Sequence, residues 1–156
     1  MKIASAWSTE PKSAAAASEA CRMLLGKLPG VPHLVLAHSS CEHDNEAVVK
    51  QLRNLLPGAQ LQGGTTCLGV ITEDGFHTKE GKGIGLLGIY DPEGSYGVGI
   101  CETGADPAGA AKSALDFALN QANRPGEVPL GILIANHPGP ADLVGRAIEE
   151  HLGGQL

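Results

Sequence analysis

The sequence predicts an α/β fold: a mixed sheet with parallel strand–helix–strand units and a central antiparallel hairpin, internally duplicated and flanked by helices. Three observations in its 156 residues point there. Short apolar runs alternate with helical stretches, the pattern that produces parallel strand pairs. Two strand-like runs, 83–90 and 95–101, are joined by Asp91-Pro92-Glu93-Gly94, which is a hairpin signal. The same order of signals also occurs twice. Pro11 and Pro107 are 96 residues apart, Pro32 and Pro129 are 97 apart, and Leu56 and Leu152 are 96 apart. The two copies cover about residues 2–72 and 97–156 of a single domain, and the hairpin over 83–101 lies between them and overlaps the second.

Residues 3–7 form the first strand, with Trp7 as a packing residue at its end. A helix follows over 11–28, where Ala14, Ala17, Cys21, Leu24, Leu25 and Leu28 recur at helical spacing. Pro11 suits its first turn, and Pro29-Gly30 stops it. Residues 33–38 are an apolar strand and 38–43 a polar loop. Asp44 is placed to cap the next helix, whose apolar face is Val48, Val49, Leu52, Leu55 and Leu56. A short strand over 59–61 leads into Gly63-Gly64-Thr65-Thr66, and Glu73-Asp74-Gly75 is a turn. In the second copy, Ala111, Ala114, Leu115 and Ala118 mark one helix face. Residues 131–135 are a strand, Asn136-His137-Pro138-Gly139-Pro140 is a loop, and Leu143, Val144, Ala147, Ile148 and Leu152 mark the last helix.

Composition excludes several function classes. The net charge is −6, from 17 acidic and 11 basic residues, and aromatics make up 3%. With no basic track and few stacking rings, nucleic acid is not an expected partner. No apolar run reaches the roughly 20 residues that span a bilayer, so no membrane insertion and a cytoplasmic location are expected. Cys21, Cys41, Cys67 and Cys101 are scattered and read as reduced thiols, with Cys21 and Cys101 buried as small hydrophobes.

In open α/β sheets ligands bind beyond the carboxyl ends of parallel strands. Those ends are Ser8-Thr9, His38-Ser39-Ser40, Gly63-Gly64-Thr65-Thr66, Thr103-Gly104 and Asn136-His137, all small and polar. The expected ligand-binding residues are Ser8, Thr9, Ser39, Ser40, Gly63, Gly64, Thr65 and Thr66, facing a small polar anion or zwitterion. Each also suits a cap or a turn. Gly63-Gly64-Thr65-Thr66 is neither a Walker loop nor a dinucleotide fingerprint, since no Gly-Lys-Ser/Thr follows and no clear helix opens. His38, Cys41 and His43, with Cys67, lack a standard zinc spacing and read as surface loop residues, so no metal is expected. His33, His77 and His151 also read as surface positions.

The set of motifs resembles the N-terminal FIST domain, a sensory domain of signal-transduction proteins. The residues that carry the resemblance are Ser5-Ala6-Trp7-Ser8-Thr9, Leu34-Val35-Leu36 with Ser39, Leu56-Pro57-Gly58-Ala59, Gly63-Gly64-Thr65-Thr66 with Gly69-Val70-Ile71-Thr72 and Gly75, and Gly83-Ile84-Gly85-Leu86-Leu87. The resemblance implies a non-enzymatic sensory domain that binds an amino acid or another small polar anion. It also implies a partner: a C-terminal FIST domain or a signalling protein such as a kinase or cyclase. No cofactor is expected. A haem-binding nitric oxide sensor is one alternative, and a hydrolase or transferase using Cys41 or Ser39 is another. By the repeat offset, a second copy of 63–66 would begin near residue 159, so the sequence predicts an N-terminal fragment with a free sheet edge or open pocket.

Overall fold

The computed structural model describes residues 1–135 and 139–155. The chain forms two compact units, Met1–Gly94 and Ser95–Leu156. The fold is α/β with a mixed sheet.

In the first unit, strand β1 (Lys2–Ser8) leads to helix α1 (Ser13–Lys27). Small residues recur along α1 at helical spacing, so Ala16, Ala17, Ala20, Cys21 and Leu24 form one buried face. Lys27, in the last turn, donates its ammonium to the Ser5 carbonyl at 2.9 Å. Strand β2 (Leu34–Ser40) follows, then α2 (Asn45–Leu55). Asp44 caps α2, its carboxylate accepting the Ala47 N–H at 3.1 Å. Val48, Leu52 and Leu56 are buried, whereas Val49 and Leu55 reach solvent at the edges of the face.

Strand β3 (Gln60–Thr66) pairs parallel with β2. Two short antiparallel strands, β4 (Val70–Thr72) and β5 (Gly75–His77), turn at Glu73-Asp74 and form a separate ribbon. Strand β6 (Ile84–Tyr90) then enters the main sheet, whose order is β1-β6-β2-β3. It runs antiparallel to both neighbours. The strand–helix–strand step from β1 to β2 therefore yields two parallel strands that do not pair with each other, and among the described residues β2–β3 is the one hydrogen-bonded parallel pair.

One sheet face carries Ala6, Val35, Ile84 and Leu86, all buried with Leu24 and Leu28 of the α1 region and Leu52 and Leu56 of the α2 region. The β4–β5 ribbon lies on the other face. There Trp7 and His77 stack at 3.8 Å between ring centroids, and the Ser5 hydroxyl donates to the Glu73 carboxylate. That hydrogen bond is the main cause that lowers the Glu73 pKa. Glycines in β6 make the double coverage possible. A Cβ on Gly85 would lie 3.1 Å from the Val70 side chain, and one on Gly88 would lie 2.9 Å from Leu24 Cδ2.

Three local expectations change. The hairpin over 83–101 has only its first arm as a strand: β1 and β2 occupy both edges of β6, and 95–101 forms no strand. His38, Ser39 and Ser40 belong to β2 and Gly63 to Thr66 belong to β3, because the parallel ladder runs on to Ser40–Thr66. His77 is buried under Trp7 instead of lying on the surface, its Nε2 sharing a 2.8 Å hydrogen bond with Thr72 Oγ1.

The second unit contains α3 (Pro107–Gln121) and α4 (Ala141–His151). Asp106 caps α3 through the Gly109 N–H at 2.9 Å, and Pro107 occupies the first turn. Ala111, Leu115 and Leu119 pack against Val144, Ala147 and Ile148, and His151 Nε2 lies 2.8 Å from Asp116 Oδ1. Among the described residues this unit has no strand, so 131–135 is not the strand expected there and the internal duplication does not appear as a second sheet. Cys101 is exposed, contrary to its expected burial, because no neighbouring strand covers 97–101.

Gly88→Val tests how tightly β6 is held against α1. The added side chain meets Leu24 and Leu28 inside a closed core. Overpacking of this kind costs about 1–3 kcal/mol. Urea denaturation should show a lower midpoint, and an unchanged midpoint would contradict the packing described.

Candidate functional site

The carboxyl ends of β1, β2 and β3 fall at one end of the sheet. Ser8 is opposite Ile84, Ile84 is opposite Ser39, and Ser39 is opposite Thr65. One row across the sheet therefore holds three hydroxyls and an isoleucine. This is the geometry expected of a binding rim, but hydrogen bonding divides this row and the adjoining Ser40–Thr66 pair into closed and open parts.

The closed part contains Ser8, Ser40 and Thr66. Ser8 is 1% exposed; its hydroxyl donates to Glu19 Oε2 at 2.5 Å and accepts the Glu10 N–H at 3.1 Å. Ser40 is fully buried and accepts the Gly83 N–H at 3.2 Å, fixing the start of β6. Thr66 donates to the Gly69 carbonyl at 2.7 Å and closes the turn between β3 and β4. Thr9 follows β1 and lines no part of the cavity described next. These hydroxyls hold the chain in place.

The open part is a cavity of about 280 Å³ between α2 and the β2–β3 pair. Ser39, Gly63, Gly64 and Thr65 line it, so four of the eight expected residues come together there. Gly63 lies against β2, and a Cβ there would sit 1.7 Å from the Ala37 carbonyl oxygen. A Cβ on Gly64 would meet nothing within 4 Å, so this glycine leaves space beside the strand. Asn45 and Arg53 of α2, Gln62 of β3 and the buried Ile84 of β6 complete the polar and apolar character of the walls.

Ser39 donates to Asn45 Oδ1 at 2.5 Å, which ties β2 to the first turn of α2 and turns the Asn45 amide group away from that bond. Gln62 Oε1 is buried with no hydrogen-bond partner. Sequence reasoning missed Asn45, Gln62 and Arg53. Asn45 directly follows the cap residue Asp44 and Gln62 directly precedes Gly63, so chain position was the available signal.

The sequence reads His38, Cys41 and His43 as surface loop residues, but His43 is buried. His43 is only 4% exposed. Its Nδ1 shares a 3.2 Å hydrogen bond with Ser13 Oγ, which also accepts the Asp44 N–H at 3.0 Å. One hydroxyl of α1 thus anchors the start of α2, while His43 Nε2 is buried without a partner. Burial, and then the Lys82 ammonium, hold the imidazole below its ordinary pKa. Cys41 and Cys67 are exposed, and the Cys41 thiol donates to the Cys67 carbonyl at 3.2 Å. Cys21 is buried in the core, and burial pushes its thiol up to about 11. Asn136 and His137, the strand end expected in the second copy, lie outside the described residues.

No protein-family model matches the chain, and no curated protein matches it.

The His43 environment carries a pH signature. In the unfolded chain a histidine titrates near 6.5. The folded value is lower, so below about 6.5 the unfolded chain binds more protons and gains ground. The stability linked to His43 is full above that value and is lost as pH falls through the folded one. Unfolding free energies measured from about pH 8 down to about pH 5 should therefore fall less steeply in His43→Gln than in the parent chain. Identical slopes would show that His43 is not buried as described.

Proposed function

We propose that the first unit is a ligand-binding sensory domain of the FIST type, and that its ligand is an amino acid or another small polar anion held between α2 and the β2–β3 pair. The observation that carries this reading is the cavity between α2 and the β2–β3 pair, whose walls include Ser39, Asn45, Arg53, Gly64 and Thr65. The Asn45 amide N–H groups and the Arg53 guanidinium supply donors for a ligand carboxylate.

Volume narrows the class further. At about 280 Å³ the cavity lies just below the roughly 300–1,000 Å³ usual for drug-sized ligands. That favours a metabolite of amino-acid size over a haem. The hydrolase reading has less support, since Ser39 donates to an amide oxygen and the Cys41 thiol to a carbonyl, and neither faces a base in these bonds. The sensory output and its partner (a C-terminal FIST domain, a kinase or a cyclase) rest on the sequence resemblance, and the cytoplasmic location rests on the apolar runs of the sequence. Among the described residues no helix is long and apolar enough to cross a membrane.

A thermal-shift screen of the standard amino acids and small dicarboxylates tests the proposal. A ligand at one hundred times its Kd stabilises the native state by about 2.7 kcal/mol. At least one compound should raise the midpoint in the parent chain and fail to do so in Gly64→Val, whose side chain occupies the open space beside β3. Absence of any shift at millimolar concentration, or equal shifts in Gly64→Val, would overturn it.

A further inference from the structure

Each strand of the parallel pair is followed by a cysteine. Strand β2 ends at Ser40 and β3 at Thr66, which are opposite each other, and Cys41 and Cys67 come next. The Cys41 N–H donates to the Thr66 carbonyl at 2.8 Å. In a parallel ladder a residue bonds the neighbours of the residue opposite it, so this bond carries the register one step on and sets Cys41 opposite Cys67. Neighbouring strands lie about 4.8 Å apart, and Cα atoms about 4.4–6.8 Å apart can be bridged by a disulfide. The Cys41 thiol already donates to the Cys67 carbonyl at 3.2 Å, so its sulfur reaches that residue.

Both turns are pinned. The His43 N–H donates to the Ser40 carbonyl at 3.0 Å on one side. On the other, Thr66 donates to the Gly69 carbonyl at 2.7 Å and Thr78 to the Leu68 carbonyl. Both thiols are nevertheless exposed, so an oxidant reaches them and neither side chain has to leave a packed core to turn towards the other. The other cysteines have no such neighbour: Cys21 is buried in the core, and Cys101 is the single cysteine of the second unit. A pair exposed at two strand ends, outside the core, suits a reversible bond more than a structural one.

We propose that Cys41 and Cys67 are a reversible redox pair, which a small-molecule disulfide oxidises to an intrachain disulfide joining the ends of β2 and β3. One cysteine, as its thiolate, attacks the small disulfide, forms a mixed disulfide and expels one small thiol. The second cysteine then attacks the protein sulfur of that mixed disulfide and expels the other small thiol. Two protein thiols and one small disulfide become one protein disulfide and two small thiols, and the electron pair passes from the protein to the small molecule. The new bond closes a ring of chain that contains α2 and β3, which supply walls of the cavity. Neither cysteine lines that cavity, so the oxidation needs no ligand there.

The test treats the intact, reduced chain with oxidised glutathione and maps its cysteines by mass spectrometry of unreduced peptides. A peptide joining Cys41 to Cys67 should appear. Thiols titrated in denaturant should fall from four to two, leaving Cys21 and Cys101, and dithiothreitol should restore all four. In Cys67→Ser, Cys41 should stop at the mixed disulfide with glutathione. In urea the Cys41–Cys67 link should form at least about tenfold more slowly, because the fold no longer holds the two thiols opposite each other. Three results would overturn the proposal. One is absence of the link in the parent chain, whether the two thiols stay free or retain glutathione. The second is a link that joins two chains, and the third is an equal rate in buffer and in urea.

Discussion

The first unit depends on β6 being hydrogen-bonded along both of its edges. Ile84–Tyr90 is distant in sequence from β1 and β2, yet it joins them into one sheet. Without it, β1 and β2 would be two strands on a helical layer with no ladder between them. Its composition suits this central position. Ile84 and Leu86 fill the helix-facing core, Gly88 makes room for Leu24, and Gly85 makes room for Val70 on the opposite face. A strand buried on both faces and paired on both edges has little freedom to slip, because a shift by one residue would exchange its two faces.

The same insertion builds the candidate site. Ile84 lies between Ser8 and Ser39, and the Gly83 N–H donates to Ser40, so the start of β6 fixes the carboxyl ends of β1 and β2. Hydroxyls consumed in that junction are unavailable to a ligand. Among the described residues the β2–β3 side has no strand beyond β3 and is covered by α2, and Asn45 and Arg53 of α2 line the cavity there. The division between Ser8, Ser40 and Thr66 on one hand and Ser39 on the other follows from the partners of each hydroxyl: the first three bond backbone groups next to the strand ends, and Ser39 bonds the Asn45 side chain. Strand position alone would treat them alike.

Much of the helical layer was legible in the sequence, because periodicity and caps are local signals. Asp44 and Asp106 cap the helices they precede, and the buried faces of α1, α3 and α4 hold many of the residues whose spacing marks them. Strand partners were not legible. Residues 83–90 and 95–101 read as a hairpin because short separation favours local pairing, but the edges of β6 go to strands from the beginning of the chain. Burial at polar positions was also hidden. His43 and His77 look like loop residues in sequence, yet one is packed beside Ser13 and the other is stacked on Trp7. For the site, strand ends located the correct edge of the sheet. Asn45 and Arg53 are ordinary helix residues in the sequence until the fold sets α2 against the β2–β3 pair.

Interstrand nuclear Overhauser contacts at Gly88 test the central claim most directly. Gly88 is opposite Ala4 on one side and Val35 on the other. The account predicts contacts from Gly88 to both residues. Contacts to only one of Ala4 and Val35 would contradict it, since they would leave one edge of β6 unpaired.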